Sequence, residues 1–185
     1  AIYFSTGASS KGSTGGISLR TGDLMGDEET VAGSIALQVG QSAGESLAGD
    51  VTLTAGASEA YTGGSIISVS GKSSSVSSGV IDMSTGSAID GTAASGNIRL
   101  QTGNANGNSG HLNLVTGSSS AQSGGDILLS VGKSGQGVGG RISLIAGMST
   151  EVTGGFIAVS SGSSVEGSSG SILVGSRDAG SDGSS

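Results

Sequence analysis

A glycine-bounded segment of fixed length recurs through this chain and constrains its folding more than any other feature. Eleven segments open on Gly15, Gly33, Gly49, Gly64, Gly79, Gly96, Gly110, Gly125, Gly140, Gly155 and Gly170. Seven residues on, each closes on another glycine, except the last, which reaches Arg177. Between the two glycines lies one pattern: any residue, apolar, any, apolar, any, small. Gly49-Asp50-Val51-Thr52-Leu53-Thr54-Ala55-Gly56 shows it plainly. Self-similarity at a fixed period defines a repeat protein, in which each unit depends on its neighbours.

The first apolar slot holds Ile2, Ile17, Ile35, Val51, Ile66, Ile81, Ile98, Leu112, Ile127, Ile142, Ile157 and Ile172. The second holds Phe4, Leu19, Leu37, Leu53, Ser68, Met83, Leu100, Leu114, Leu129, Leu144, Val159 and Val174, so only Ser68 is polar. The third slot is small or β-branched: Thr6, Thr21, Val39, Ala55, Ser70, Thr85, Thr102, Thr116, Val131, Ala146, Ser161 and Ser176. Apolar residues two apart share one face of an extended chain, and β-branched enrichment is a strand signal. Closing glycines lie 14 to 18 residues apart, and all the variation falls in the arcs between segments, which run from 7 residues (Gly103 to Gly110) to 11 (Gly22 to Gly33). A fixed segment with a variable arc suggests strands held in register by stacked neighbours.

These features predict an all-β fold, a parallel β-solenoid or β-helix of about twelve coils with a repeat of about 15 residues. At a strand spacing of roughly 4.8 Å it would form a rod of order 55 Å with almost no helix. Residues 1–185 read as one repeat domain, a fragment or protomer of a longer array, since the sequence starts inside a segment and ends in Ser/Gly/Asp-rich residues. The third slot also hints at a duplicated six-segment block: Thr21, Val39, Ala55, Ser70 is followed, after Thr85 and Thr102, by Thr116, Val131, Ala146, Ser161.

Both sets of glycines are expected to occupy positive φ or to sit where a Cβ would strike the neighbouring coil, so valine at Gly64 or Gly132 should destabilise strongly. In the arcs, a small residue follows the closing glycine by two in most repeats, as in Ser9, Ser42, Ser58, Ser73, Ser119, Ser134, Ser149 and Ser164. These read as inward-facing at a narrow edge, and serine substitutions in the arcs are expected to be mild. In the fifth coil Ile67 and Val69 fall on the outward face, which makes them a possible contact site.

Composition excludes competing folds. With 38 Gly in 185 residues, no Pro, Cys or Trp, 2 Tyr and 2 Phe, the chain lacks the side chains of a helical bundle or sandwich core. Each internal glycine would cost a helix about 1 kcal/mol. Collagen needs glycine at every third position and proline, and neither is present. Against disorder stand the periodic aliphatics and a mean hydropathy of +0.13.

Little in the chain points to catalysis, and no enzyme activity, cofactor or metal site is expected. Gly71-Lys72-Ser73 and Gly132-Lys133-Ser134 resemble the end of a P-loop, but Ile66 and Ile127 stand where its first glycine is needed. Gly40-Gln41-Ser42-Ala43-Gly44 matches a nucleophile elbow, a string that a Gly/Ser lattice produces by chance, and Ser42 already fills a repeat position. His111 is the only histidine and reads as a solvent-facing spacer. Asp27-Glu28-Glu29, in the longest arc, reads as a solvated loop with weak potential for a cation.

A net charge of −7, with Lys11, Arg20, Lys72, Arg99, Lys133, Arg141 and Arg177 dispersed, argues against nucleic acid, anionic membranes and an acidic-polysaccharide lyase groove. No apolar run approaches a membrane span of roughly 20 residues. An ice-binding threonine array is met only by Thr52 and Thr54 among the outward positions.

The segments 49–56 and Gly125-Asp126-Ile127-Leu128-Leu129-Ser130-Val131-Gly132 resemble the repeats of filamentous-haemagglutinin-type adhesins and related Gly/Ser-rich surface solenoids. That resemblance implies an extracellular or cell-surface protein with structural or adhesive work. The expected role is therefore a component of an extracellular filament or surface stalk, with adhesion to glycans or surfaces, and then ice binding, as alternatives. Expected partners are further copies of the chain, end to end or side by side, and glycans on the Ser/Thr-rich arcs.

Overall fold

The computed structural model describes residues 2–25, 31–89 and 93–177. Those residues contain neither helix nor strand. This overturns the expected all-β architecture: the described residues form no parallel β-solenoid, no β-helix and no stack of paired coils. The reason lies in the backbone hydrogen bonds. Among the described residues the only backbone-to-backbone bonds are Gly64 N to Gly56 O, Gly79 N to Gly71 O, Gly155 N to Gly147 O and Gly170 N to Gly162 O, at 2.8 to 2.9 Å. Each closes an arc, and none links the middle of one segment to the middle of another. A ladder needs such bonds at alternate residues along both strands.

The same shortage shows in packing. No described side chain is buried, hydrophobic or polar. Two large aliphatics per repeat must offset the ordering of a glycine-rich backbone, which loses more conformational freedom on folding than any other. The pattern confers an apolar face without enough apolar mass to close over it.

The chain divides into two units, Ala1–Ile98 and Arg99–Ser185. Within each, one contact recurs at every repeat. The opening glycine of a segment lies against the third-slot residue of the segment before it. In the first unit Gly15 meets Thr6, Gly33 meets Thr21, Gly49 meets Val39, Gly64 meets Ala55, Gly79 meets Ser70 and Gly96 meets Thr85. In the second, Gly110 meets Thr102, Gly125 meets Thr116, Gly140 meets Val131, Gly155 meets Ala146 and Gly170 meets Ser161. A Cβ built on these glycines would come within 2.6 to 3.6 Å of its nearest neighbour, the shortest being Gly140 against Val131 Cγ1.

The closing glycines behave differently. A Cβ on Gly7, Gly22, Gly40, Gly56, Gly71, Gly86, Gly103, Gly117, Gly132, Gly147 or Gly162 would meet nothing within 4 Å. The expectation for Gly132 is therefore corrected, whereas Gly64, whose Cβ would lie 3.2 Å from the Gly56 nitrogen, is constrained. Positive φ is likewise not the reason for either set. Among the described residues only Gly44 adopts it, at 73°, in the arc 40–49.

Candidate functional site

The contact between third slot and opening glycine sorts the arcs into two kinds. Seven arcs span eight residues between their glycines: 7–15, 56–64, 71–79, 117–125, 132–140, 147–155 and 162–170. Four of them are closed by the backbone bond, and in those the third slot is Ala55, Ser70, Ala146 or Ser161. In the other three it is Thr6, Thr116 or Val131, and the bond is absent. Side-chain branching accounts for the division. The γ carbons of threonine and valine occupy the space through which the two backbones would approach. Cβ atoms on Gly64, Gly79, Gly155 and Gly170 would lie 3.2 to 3.6 Å from the closing glycine's nitrogen. On Gly15, Gly125 and Gly140 they would meet side-chain atoms alone within 4 Å.

The longest arc uses another device. Thr21 Oγ1 donates to the carbonyl of Gly33 at 3.2 Å, so a threonine hydroxyl ties this arc where its methyl branch stands against the glycine.

The arcs carry their own code, and the structure gives six of the eight serines two residues after a closing glycine a definite role. The hydroxyl oxygen accepts from the amide three residues on: Ser58 from Tyr61, Ser73 from Val76, Ser119 from Gln122, Ser134 from Gly137, Ser149 from Val152 and Ser164 from Gly167, at 2.8 to 3.1 Å. Ser73 and Ser149 are also within 3.4 Å of the amide two residues on. Each bond spans the bend of its arc. Serine holds a turn this way by standing in for a backbone acceptor. The signal in the sequence is a small residue, most often serine, two residues past the closing glycine, but only the bend reveals whom the hydroxyl serves.

The apolar slots of the segments differ in exposure from the residues between them. From Ile17 to Ile172 the first-slot residues are 49 to 63 % exposed, while the outward Ile67, Val69, Val115, Leu128 and Ile145 are 81 to 87 % exposed. Among the described residues only Ala55, Ser70, Thr102 and Ala146 of the third slot, and Ser149 of an arc, are half-buried. The first-slot residues are thus less exposed than the apolar residues between the slots, although no strand carries them.

The remaining candidates are dispersed. Ser42 lies two residues before the left-handed Gly44. His111, Lys72 and Lys133 are exposed. Asp27, Glu28 and Glu29 lie outside the described residues. Among the described residues no group of three or more His, Asp or Glu gathers as metal ligands, and no cavity forms. Arg99 Nε donates to Gln101 Oε1 at 2.6 Å, a contact along one segment. Nor is any helix among the described residues long and apolar enough to cross a membrane.

Compared with known proteins, the chain matches no family model, no curated protein and no solved structure.

Proposed function

We propose that this chain is a structural component of an extracellular filament or cell-surface stalk, where its repeats act by association. The carrying observation is the repeat itself: aliphatic side chains at the same two places in nearly every segment, with no described side chain buried. Its resemblance in sequence to filamentous-haemagglutinin-type repeats supports the same reading. The exposed Ser- and Thr-rich arcs suit glycan attachment in an extracellular setting, and Ile67 and Val69 offer a secondary contact.

Immunoelectron microscopy of native material tests this proposal. Label along continuous thin fibres or surface stalks is the expected result. Label confined to the cell interior would overturn it, and isolated particles that bind glycans or cells would replace it with adhesion.

A further inference from the structure

We propose that Asn106, in the arc 103–110, is a site of spontaneous covalent modification, where the amide nitrogen of Gly107 converts it to aspartate and isoaspartate. This arc is the shortest in the chain, its bend falls at Asn106 and Gly107, and both residues are exposed. The asparagines are Asn97, Asn104, Asn106, Asn108 and Asn113, and only Asn106 precedes a glycine. The others are followed by Ile98, Ala105, Ser109 and Leu114, each of which sets a Cβ beside the nitrogen that would attack; glycine sets none. The arc also lacks the device that engages this amide elsewhere. In the arcs 71–79 and 147–155 the amide four residues after the closing glycine lies within 3.4 Å of a serine hydroxyl, Ser75 against Ser73 and Glu151 against Ser149. Gly107 holds that place in the arc 103–110, but the serine's place is taken by Ala105, which has no acceptor. Among the described residues no backbone carbonyl accepts from the Gly107 amide either.

In the reaction the Gly107 nitrogen bonds to Cγ of Asn106, the Cγ–Nδ2 bond breaks, and ammonia leaves carrying the amide proton. The cyclic imide then takes up water from the solvent. Opening at Cγ yields aspartate, and opening at the main-chain carbonyl yields isoaspartate, in which the chain runs through the former side chain. Either product adds one negative charge to a chain already at −7. Isoaspartate also lengthens the main chain by one methylene inside an arc whose ends lie together, since a Cβ on Gly110 would stand 3.5 Å from Thr102 Cγ2.

Peptide mapping by mass spectrometry of the full chain, aged in neutral buffer, tests the proposal, with aspartate and isoaspartate peptides separated by chromatography. Conversion at Asn106 should run roughly tenfold faster than at Asn104 or Asn108 and should give both products. Gly107→Ala should lower it to about the Asn104 rate. The added Cβ would meet nothing within 4 Å, so that loss does not come from a disturbed arc. Ala105→Ser, which supplies the missing hydroxyl, should slow conversion about threefold relative to the wild-type chain. No excess at Asn106, aspartate as the sole product, an undiminished rate in Gly107→Ala or an unchanged rate in Ala105→Ser would each overturn the proposal.

Discussion

The arcs 147–155 and 132–140 have the same length and are separated by a single segment, yet only the first is closed by a backbone hydrogen bond. The first is preceded by Ala146 and the second by Val131. Two methyl groups thus decide whether a pair of glycines can bring their backbones together. The first unit repeats the lesson: Ala55 and Ser70 precede closed arcs, and Thr6 precedes an open one. Ala55 corresponds to Ala146 and Ser70 to Ser161, each pair 91 residues apart by number, so the duplicated block in the sequence returns as one pair of closed arcs per unit.

The largest expected effect comes from crowding the open arc further. Valine at Gly140 would place its Cβ 2.6 Å from Val131 Cγ1, and displacing that contact should cost about 2 kcal/mol. The loss would be read as disappearance of the nuclear Overhauser contact between residues 131 and 140. Adding Val131→Ala should restore much of it, whereas Gly132→Val, facing open space, should have an effect within about 0.5 kcal/mol. If Gly132→Val proves as damaging as Gly140→Val, the asymmetry between opening and closing glycines fails.

A smaller effect is expected at the one left-handed residue. Gly44→Ala forces a Cβ into φ 73° and should shift the arc 40–49 by about 1 to 2 kcal/mol, visible in the chemical shifts of Ala43 and Glu45. Unchanged shifts would mean that this conformation is not held.

Converting a closed arc to an open one comes next. Ala146→Val should remove the bond from Gly155 to Gly147, a net change of about 1 kcal/mol, and raise Gly155 amide exchange roughly fivefold. The reverse change, Val131→Ala, should slow exchange at Gly140. Failure of both would sever branching from closure.

The smallest effect belongs to the bends. Ser164→Ala removes the acceptor for the Gly167 amide and should cost about 0.5 kcal/mol at this exposed site, with faster exchange at Gly167 and little change at Gly170. Loss at both amides would mean that bend and closure are one cooperative unit.

The sequence made the repeat, the three slots and the opening glycines legible, because spacing and side-chain size are written directly in it. It led to a wrong expectation about pairing. Alternating Ile127, Leu129 and Val131 satisfy the strand pattern, but a pattern specifies which side chains share a face and not which backbone lies beside them. The same limit hid the difference between Gly140 and Gly132, since equal residues at equal spacing differ only in what the fold places against them. Ser164 was recognisable as a recurring small position, yet its partner was not, because the bend that brings Gly167 within 2.8 Å cannot be seen in a linear string.

Residue-resolved amide hydrogen exchange, in solution dilute enough to keep the chain unassociated, tests most directly whether third-slot branching decides which arcs close. The amides of Gly64, Gly79, Gly155 and Gly170 should exchange several-fold more slowly than those of Gly15, Gly125 and Gly140, with no protection running through Ile66, Ser68 and Ser70. Uniform exchange across the seven glycines, or continuous protection along the segments, would contradict it.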